Sequence, residues 1–439
     1  MKLFIAIFTL CITHTVHSQG TFNSILRAPN QIVSGAGDLL NGIFGSKTTD
    51  PCGGDVLQAY KKSINDFHNK LYTHIAARTE NHFVFSPLTI WLSLSALAEG
   101  ADPSVQSGLF TSLDLPQEWC IRKKFYDIAL NVEIPGRDVY LRRRRNLILD
   151  NSLKVNPTWS QLMRSTGLLN IGYAPIKSNP ALTSKGLRNF MRTHANIVLK
   201  GNSVLLDSLD YKGLWTTAFA DASIQRQPFF DDLGQQTGTV DMMHMKKQVR
   251  LAHVPFLSAK VLELPVGTNG RYTMLIAVGT GNSIIKDSIA IFIGSIMQIF
   301  SLLQMSLFPL DVAVPRFAVN SEFDVKPALE DIGIVAFWRD PAATRFVSDP
   351  PATPGGLIHR VSVKVDSHGV GPPPAVGTDV LSGLVNLASK TATGVATAVG
   401  HEFTADRPFM YALFDTKTHT CMFAGVFSKP NENKIDKVV

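Results

Sequence analysis

Four consecutive arginines, Arg142 to Arg145, form the densest group of side chains that could bind a ligand. A guanidinium presents its N–H donors in a fixed planar fork, which matches the oxygens of a sulfate group. The run is therefore a candidate site for a sulfated polyanion, and binding there should weaken as salt is added. Two other interpretations fit the same residues: a solvated basic turn, or a site where a basic-residue protease processes the chain.

The motifs of common enzymes and metal sites are absent from the sequence. We find no Gly-x-Ser-x-Gly, no phosphate-binding loop, no His-Glu-x-x-His and no Cys-x-x-Cys. The 12 histidines are scattered, and His244, His253 and His359 lie in segments typical of strands or loops. We therefore expect that the protein is not an enzyme and has no metal site and no cofactor.

The first 18 residues have the pattern of a signal peptide. Lys2 is followed by an apolar run from Leu3 to Ile12 and by the small-residue site Val16-His17-Ser18. The apolar run is about half the ~20 residues that a membrane-spanning helix needs. We predict cleavage after residues 1–18, secretion to the extracellular space and no membrane anchor.

Charge and cysteine content narrow the class of partners and the compartment. The chain has 439 residues, a formal net charge of +7 and a pI of about 9.1, which favours acidic partners outside the cell over nucleic acid. After removal of Cys11 with the signal peptide, Cys52, Cys120 and Cys421 remain. Three cysteines in an oxidising compartment allow one disulfide and one leftover thiol.

Residue periodicity predicts a mixed α+β fold with a large sheet. Residues 19–55 lack periodicity and indicate a loosely ordered extension. Apolar residues at helical spacing predict a helix over Val56 to Ala77, and a second helix over Phe85 to Ala98 is entered through the cap pair Ser86-Pro87. Strands are predicted at Leu147 to Val155, Val204 to Tyr211, Ala259 to Leu264, Tyr272 to Val278, Val312 to Val319, Arg360 to Val365 and Tyr411 to Phe414.

The stretch from Ser288 to Leu310 contains no charged residue and is mostly apolar. One interpretation is a transmembrane helix. Polar and helix-breaking residues interrupt it, however, and strand patterns continue on both sides. We favour a buried helix followed by a strand; the interrupting residues are Gly294, Gln298, Gln304 and Pro309.

Four segments, taken in order, resemble the serpin family. The resemblance implies one domain over 56–430 with three sheets, about nine helices, an exposed reactive-centre loop over 369–402 and a short tail over 431–439. It also implies a monomer whose partner is a serine protease. It places Arg142 to Arg145 at the end of the fourth helix, just before the strand at Leu147, where some members of the family bind a heparin-like polysaccharide. The segments are HFVFSPLTIWLSLSALAEGAD (His82 to Asp102), SVLLDSLDYKGLWTTAF (Ser203 to Phe219), VAVPRFAVNSEFDVKPALEDIGIVAFW (Val312 to Trp338) and FTADRPFMYALFDTKTHTCMFAGVFSKP (Phe403 to Pro430).

The resemblance places the hinge of the reactive-centre loop between His359 and the loop itself, with Gly369 at the position of the family's hinge glycine. Ser367 replaces the family's hinge Glu and Val370 its hinge Thr. In inhibitory members the cleaved loop enters the main sheet as a new strand. Proline lacks the N–H that a central strand must donate, and the family's run of Ala is here Pro372, Pro373 and Pro374.

The shutter and breach of the main sheet are assigned through the same resemblance. Ser86, Asp207 and His359 fall at the shutter, where Asp207 replaces the family's Asn, and Trp215 falls at the breach. A buried carboxylate paired with a protonated histidine would link sheet opening to pH. A satisfied Asp-Ser-His network without regulatory meaning is the other interpretation, and we favour it.

Two functions follow from the hinge. The favoured one is a non-inhibitory serpin that acts as an extracellular binding, carrier or storage protein and that also binds a polyanion. The other is a suicide-substrate inhibitor of a trypsin-like protease, with Gly377-Thr378-Asp379 as the hinge and the prolines in an insertion before it. In that case the protease would cleave within 383–395, and Lys390-Thr391 is the candidate bait bond.

Overall fold

The computed structural model describes residues 52, 54–135, 138–193, 197, 199–268, 270–281, 285–347, 350–371 and 402–432. The predicted signal peptide, almost all of the extension over 19–55, and residues 433–439 of the tail lie outside the described residues. The same holds for Pro372, Pro373, Pro374, Lys390 and Thr391. The fold is described below from the remaining residues.

Ten α-helices are present in the described residues, close to the nine that the serpin resemblance implies. The first two match the predicted helices to within two residues at each end. They are α1 (Val56–Arg78), α2 (Pro87–Ala98), α3 (Pro103–Ser112), α4 (Trp119–Val132), α5 (Pro157–Thr166), α6 (Pro180–Met191), α7 (Ile285–Gly294), α8 (Ile296–Leu302), α9 (Lys326–Asp331) and α10 (Ala336–Arg339).

The described strands number seventeen. They are β1 (Phe83–Phe85), β2 (Val139–Asp150), β3 (Asn170–Ala174), β4 (Ser203–Leu214), β5 (Gln225–Phe230), β6 (Gln236–Lys247), β7 (Arg250–Val254), β8 (Ala259–Val266), β9 (Tyr272–Gly279), β10 (Gln304–Met305), β11 (Leu310–Pro315), β12 (Phe317–Asp324), β13 (Pro354–Val365), β14 (Gly369–Val370), β15 (Glu402–Thr404), β16 (Phe409–Asp415) and β17 (Cys421–Phe427).

These strands form three sheets, which confirms the predicted fold class. The six-stranded sheet has the order β12-β13-β14-β4-β2-β3, the seven-stranded sheet β1-β17-β16-β9-β8-β7-β10, and the four-stranded sheet β15-β11-β6-β5. Every residue of β16 and β17 is buried, because these strands lie in the middle of the core. We call the six-stranded sheet the main sheet.

Helix α2 runs beneath the main sheet and is buried along its whole length. The hydroxyl of Ser86 accepts a hydrogen bond from the N–H of Thr89, and Pro87 occupies the first helical position, as the sequence predicted. Thr89 and Ser93 face the main sheet and contact β4 there. The helix therefore places hydroxyl groups directly under the centre of the sheet.

Two predictions about strands require correction. The predicted strand Val312 to Val319 is two strands in different sheets, because Pro315 ends β11 and the N–H of Arg316 donates to Asp241 across the four-stranded sheet. The strand predicted to begin at Leu147 begins at Val139 and ends at Asp150. The early start was missed because Arg142 to Arg145 interrupt the apolar pattern that is typical of a buried strand.

The uncharged stretch from Ser288 to Leu310 forms the greater part of α7, then α8 and the short strand β10. Within the described residues, no helix combines the length and the apolar character that a membrane span requires. Ile289, Phe292 and Ile299 of this stretch are buried. The stretch is therefore two helices, each with one buried side, followed by a two-residue strand that is exposed, and not one buried helix.

The three cysteines form one disulfide and one free thiol, as their number allowed. Cys52 is bonded to Cys120 at the start of α4, and Cys421 is buried in β17. The bridge ties the segment before α1 to α4. The core itself is a continuous cluster of apolar residues from α1, α2 and all three sheets.

Candidate functional site

The hinge forms a tight hairpin at the end of β13. The N–H of Asp366 donates to the carbonyl oxygen of Gly369 at 2.9 Å, and the N–H of Gly369 donates back at 3.3 Å. Only Ser367 and His368 lie in the turn. The carboxylate of Asp366 also accepts hydrogen bonds from the N–H groups of His368 and Gly369, at 3.0 and 3.2 Å, and fixes the reversal of the chain.

The hairpin inserts strand β14 into the middle of the main sheet. Val370 lies opposite Val365 of β13 and opposite Gly213 of β4. The next residue, Gly371, donates its N–H to the carbonyl oxygen of Lys364 at 2.6 Å. Gly371 has a φ of +128°, and a Cβ there would lie 2.6 Å from the Cα of Lys212, so only glycine fits.

The inserted strand ends where the main sheet closes. Below β14, β13 pairs directly with β4 in parallel, from the pair Pro354–Ser203 up to the pair Ser362–Asp210. A residue inserted directly after Gly371, in the same register, would lie between Val363 and Tyr211. A second would have to separate Ser362 from Asp210. In the sequence these two residues are Pro372 and Pro373.

The breach residues hold the hinge hairpin against the end of β4. The indole N–H of Trp215 donates to the carbonyl oxygen of Asp366 at 2.9 Å. The backbone N–H of Trp215 donates to the carbonyl oxygen of His368, also at 2.9 Å. The N–H of Phe219 donates to the carbonyl oxygen of Ser367 at 2.9 Å. Ser367 is buried, and its hydroxyl donates to the carboxylate of Asp221. The structure thus brings Trp215 and the hinge together.

The predicted shutter residues form one buried hydrogen-bond network. Asp207 accepts hydrogen bonds from Nδ1 of His359 and from the hydroxyl of Thr89, each at 2.6 Å, and from the hydroxyl of Ser93 at 3.1 Å. The backbone N–H of Ser86 donates to Nε2 of His359 at 2.9 Å. Because Nε2 accepts this bond, we assign the neutral tautomer with its proton on Nδ1.

Of the two interpretations of the shutter, the geometry fits the satisfied network. A doubly protonated His359 would direct a second N–H at the N–H of Ser86 and lose that hydrogen bond. Both oxygens of Asp207 already have donors from α2 and β13. The network joins β4, β13 and α2 at the point where the main sheet would have to open.

The arginine run is not the exposed cluster that the sequence suggested. Arg142 to Arg145 lie inside β2, where successive side chains point to opposite faces of the sheet. Arg144 and Arg145 are buried, and Arg145 pairs with the fully buried carboxylate of Glu133 at 2.5 Å. Arg143 pairs with the second oxygen of Glu133 at 2.8 Å. Their predicted position at the end of the fourth helix, before a strand at Leu147, is therefore wrong.

Two parts of this site were not predicted. Asp366 starts the hinge turn, and the pattern Asp-x-x-Gly, an aspartate three residues before a glycine, could have indicated it. Asp221, which accepts the hydrogen bond from the hydroxyl of Ser367, begins a short 3-10 helix (Asp221–Ser223) and carries no such signal. In the described residues, no group of three His, Cys, Asp or Glu is placed to hold a metal ion.

Comparison with known proteins gives the class of this fold. The family model described as "Serpin (serine protease inhibitor)" matches residues 62–430. The chain belongs to the serpin family, a family defined by inhibitors of serine proteases. The three sheets and ten helices described above agree with the serpin fold.

Relatives and solved structures agree with this assignment over most of the chain. Serpin B5 of Xenopus laevis is 22% identical over 379 residues, which cover 80% of this chain and 92% of that protein. Human serpin B9 is 21% identical over 393 residues, covering 85% and 100%. Human thyroxine-binding globulin complexed with thyroxine superposes with a TM-score of 0.72 at 18% identity, covering 85% and 98%. Uncleaved ovalbumin gives 0.67 at 18%, covering 83% and 98%.

Proposed function

We propose that this chain is a secreted serpin that does not complete loop insertion and acts as an extracellular binding, carrier or storage protein. One observation carries the proposal: three consecutive prolines follow the inserted strand β14 at the point where the main sheet closes. An inhibitory serpin must continue the insertion there, before the protease hydrolyses the acyl-enzyme. The prolines oppose that continuation.

The cost of inserting the prolines follows from the register of β14. In an antiparallel strand, successive N–H groups face opposite neighbours. The N–H of Gly371 faces β13, so residues 372 and 374 should donate to β4 and residue 373 to β13. None of the three can donate. Each buried carbonyl left without a donor costs about 1–3 kcal/mol, and the sum opposes insertion at its first step.

A carrier function is compatible with the fold of the similar structures. One of them is human thyroxine-binding globulin in complex with thyroxine. A serpin fold can therefore hold a small ligand. At 18% identity this supports the class of function and not the identity of a ligand.

The second candidate is a suicide-substrate inhibitor of a trypsin-like protease. It is favoured by the two residues of β14 that are already inserted, since the first step of insertion has been taken in the intact chain. Lys390-Thr391 within 383–395 remains the candidate bait bond. The three prolines would still have to insert between β13 and β4 before the rest of the loop. We therefore prefer the first proposal.

The test is incubation of the purified protein with a panel of trypsin-like and chymotrypsin-like serine proteases, followed by denaturing gel electrophoresis. A known inhibitory serpin run in parallel shows that each protease is active. Loop cleavage without a covalent band is the result we expect. A covalent band that survives SDS contradicts the proposal and supports the inhibitor.

Secretion is tested separately in eukaryotic cells that express the full chain. We expect the protein in the medium, with an N-terminus close to Gln19. A variant without residues 1–18 is the control and should stay in the cells. Full retention of the complete chain would contradict secretion.

A further inference from the structure

Three charged side chains form a chain across the outer face of the main sheet. Nη1 of Arg360 in β13 lies 3.2 Å from Oδ1 of Asp210 in β4. The other oxygen of Asp210 lies 3.5 Å from Nη1 of Arg144 in β2. The guanidinium of Arg144 is 5.5 Å from the ring of Phe190 in α6, so the helix covers this end of the chain. Three strands are thus connected through one carboxylate.

The cationic side chains around Asp210 need its carboxylate as a counter-charge. Arg144 is only 5% exposed, and its burial lowers its pKa to about 10. Repulsion from Arg142, Arg192 and Arg360 acts in the same direction, whereas Asp210 opposes it. A buried cation among other cations needs a counter-charge, because an unpaired buried charge is strongly unfavourable. Asp210 supplies it for Arg144 and also binds Arg360.

The link between Arg360 and Asp210 crosses the boundary that insertion must open. Asp210 lies opposite Ser362, the pair at which β4 and β13 come together directly below β14. A new strand between β4 and β13 would move them apart by about 4.8 Å, the spacing of neighbouring strands. The 3.2 Å contact between Arg360 and Asp210 would not survive that movement.

We propose that Asp210 and Arg360 form an electrostatic latch that holds β4 against β13 directly below the inserted hinge. The latch lies on the α6 face of the sheet, and the network of Asp207 and His359 joins the same two strands on the α2 face. It resists opening whether or not prolines follow β14. The latch therefore goes beyond the proposed function: it is a second barrier that belongs to the sheet itself.

The test is hydrogen–deuterium exchange of the intact protein without protease, with Arg360→Gln as the variant. This substitution removes the link across the boundary and leaves the pair of Asp210 and Arg144 in place. Arg226→Gln is the matched control, because Arg226 and Asp241 form a cross-strand pair at 2.8 Å in the four-stranded sheet. Exchange is followed in peptides that cover β13 and β4, with β16 and β17 as an internal reference.

We expect exchange in β13 to be at least fivefold faster in Arg360→Gln than in the wild type or Arg226→Gln, with unchanged exchange in β16 and β17. A second variant, Asp210→Asn, removes the carboxylate from both Arg360 and Arg144, so exchange should become faster in β2 as well as in β13. Equal exchange in β13 for Arg360→Gln, Arg226→Gln and the wild type overturns the latch. Because no protease is present, this result is independent of the test of the proposed function.

Discussion

The N–H of Gly371 donates to the carbonyl oxygen of Lys364 at 2.6 Å, and the next residue in the sequence is Pro372. Gly371 thus donates the final ladder hydrogen bond of the hinge before three residues that have no N–H. Insertion of the hinge has begun in the intact molecule. In the register of β14, Gly371 lies two positions before Ser362 and Asp210, where β13 pairs directly with β4.

We first predict how the loop responds to cleavage. After cleavage within 383–395, the midpoint of thermal unfolding should change by less than about 3 °C, because the prolines prevent the gain of a full central strand. The variant Pro372→Ala/Pro373→Ala/Pro374→Ala/Arg360→Gln removes both barriers and should gain heat stability on cleavage. Differential scanning fluorimetry of cleaved and intact protein measures both. A rise above about 10 °C in the cleaved wild type contradicts the prediction.

The shutter carboxylate should be essential for stability. Asp207→Ala leaves the hydroxyls of Thr89 and Ser93 and Nδ1 of His359 buried without their acceptor. We expect a loss of about 3 kcal/mol or more in the free energy of unfolding, because each buried donor left without its acceptor costs about 1–3 kcal/mol. Asp207→Asn retains one acceptor oxygen and should lose less than half of that. Urea denaturation measures the free energy of unfolding of both variants. Equal losses for Asp207→Ala and Asp207→Asn would show that the acceptor oxygen kept in Asp207→Asn does not contribute to stability.

The arginine run gives a prediction opposite to that of a polyanion site. Arg145→Ala leaves the fully buried Glu133 without its closest partner and should destabilise the protein by about 3–5 kcal/mol. Arg142→Ala, in the same strand and only half-buried, should change stability by about 0.5 kcal/mol or less. Urea denaturation compares the two. If Arg145→Ala is as stable as Arg142→Ala and elutes from heparin at lower salt, the polyanion interpretation is restored.

Acid should destabilise the protein in part through His68. This residue of α1 is fully buried against Tyr72 and Phe85, and burial lowers its pKa from 6.5 to about 3. Between these two pH values the unfolded chain binds a proton that the folded chain rejects, so stability falls as pH falls. The slope from this residue is about 1.4 kcal/mol per pH unit.

His68→Phe keeps the ring and removes the titrating group. The difference in unfolding free energy between His68→Phe and the wild type should therefore grow in favour of the variant as the pH falls from about 6.5. His74→Gln, on the exposed side of the same helix, is the control and should follow the wild type. A pH-independent difference for His68→Phe would be incompatible with a buried neutral histidine.

The disulfide and the free thiol should respond differently to reagents. The bond between Cys52 and Cys120 spans 68 residues of sequence, and removing it in Cys52→Ser/Cys120→Ser should cost about 2–4 kcal/mol. Burial raises the pKa of Cys421 well above its usual value, so this thiol should not react with Ellman's reagent until the protein unfolds. Thermal unfolding and thiol titration test the two statements. Rapid labelling of one thiol in the native protein would contradict the second.

Much of the fold could be predicted from the sequence because periodicity and caps report local structure. The pair Ser86-Pro87 defined the start of α2, and the apolar spacing from Val56 defined α1. The arginine run misled because charged residues normally lie on the surface. Arg145 is buried together with Glu133, twelve residues away, and it also donates to the carbonyl oxygens of Gly167 and Leu168. A partner from another element cannot be read from a local pattern.

The hinge likewise has features that the sequence could predict and features that it could not. The resemblance to serpins identified Gly369, Val370 and the three prolines as hinge residues, and the missing N–H of proline gave the prolines their physical meaning. It could not predict that Val370 is already inserted between Val365 and Gly213, because that depends on pairing with a strand more than a hundred residues earlier. The latch of Asp210 and Arg360 was missed for the same reason.

The core of this protein also limits how early the chain can fold during its synthesis. The hydroxyl of Tyr72 in α1 donates to the carbonyl oxygen of Gly425 in β17, which is synthesised 353 residues later. Among the described residues, strand β1 likewise pairs with β17. Most of the chain must therefore leave the ribosome before α1 and β1 can make these contacts with β17. Until then the apolar faces of α1 and α2 are exposed, and chaperones of the compartment in which it folds have to protect them.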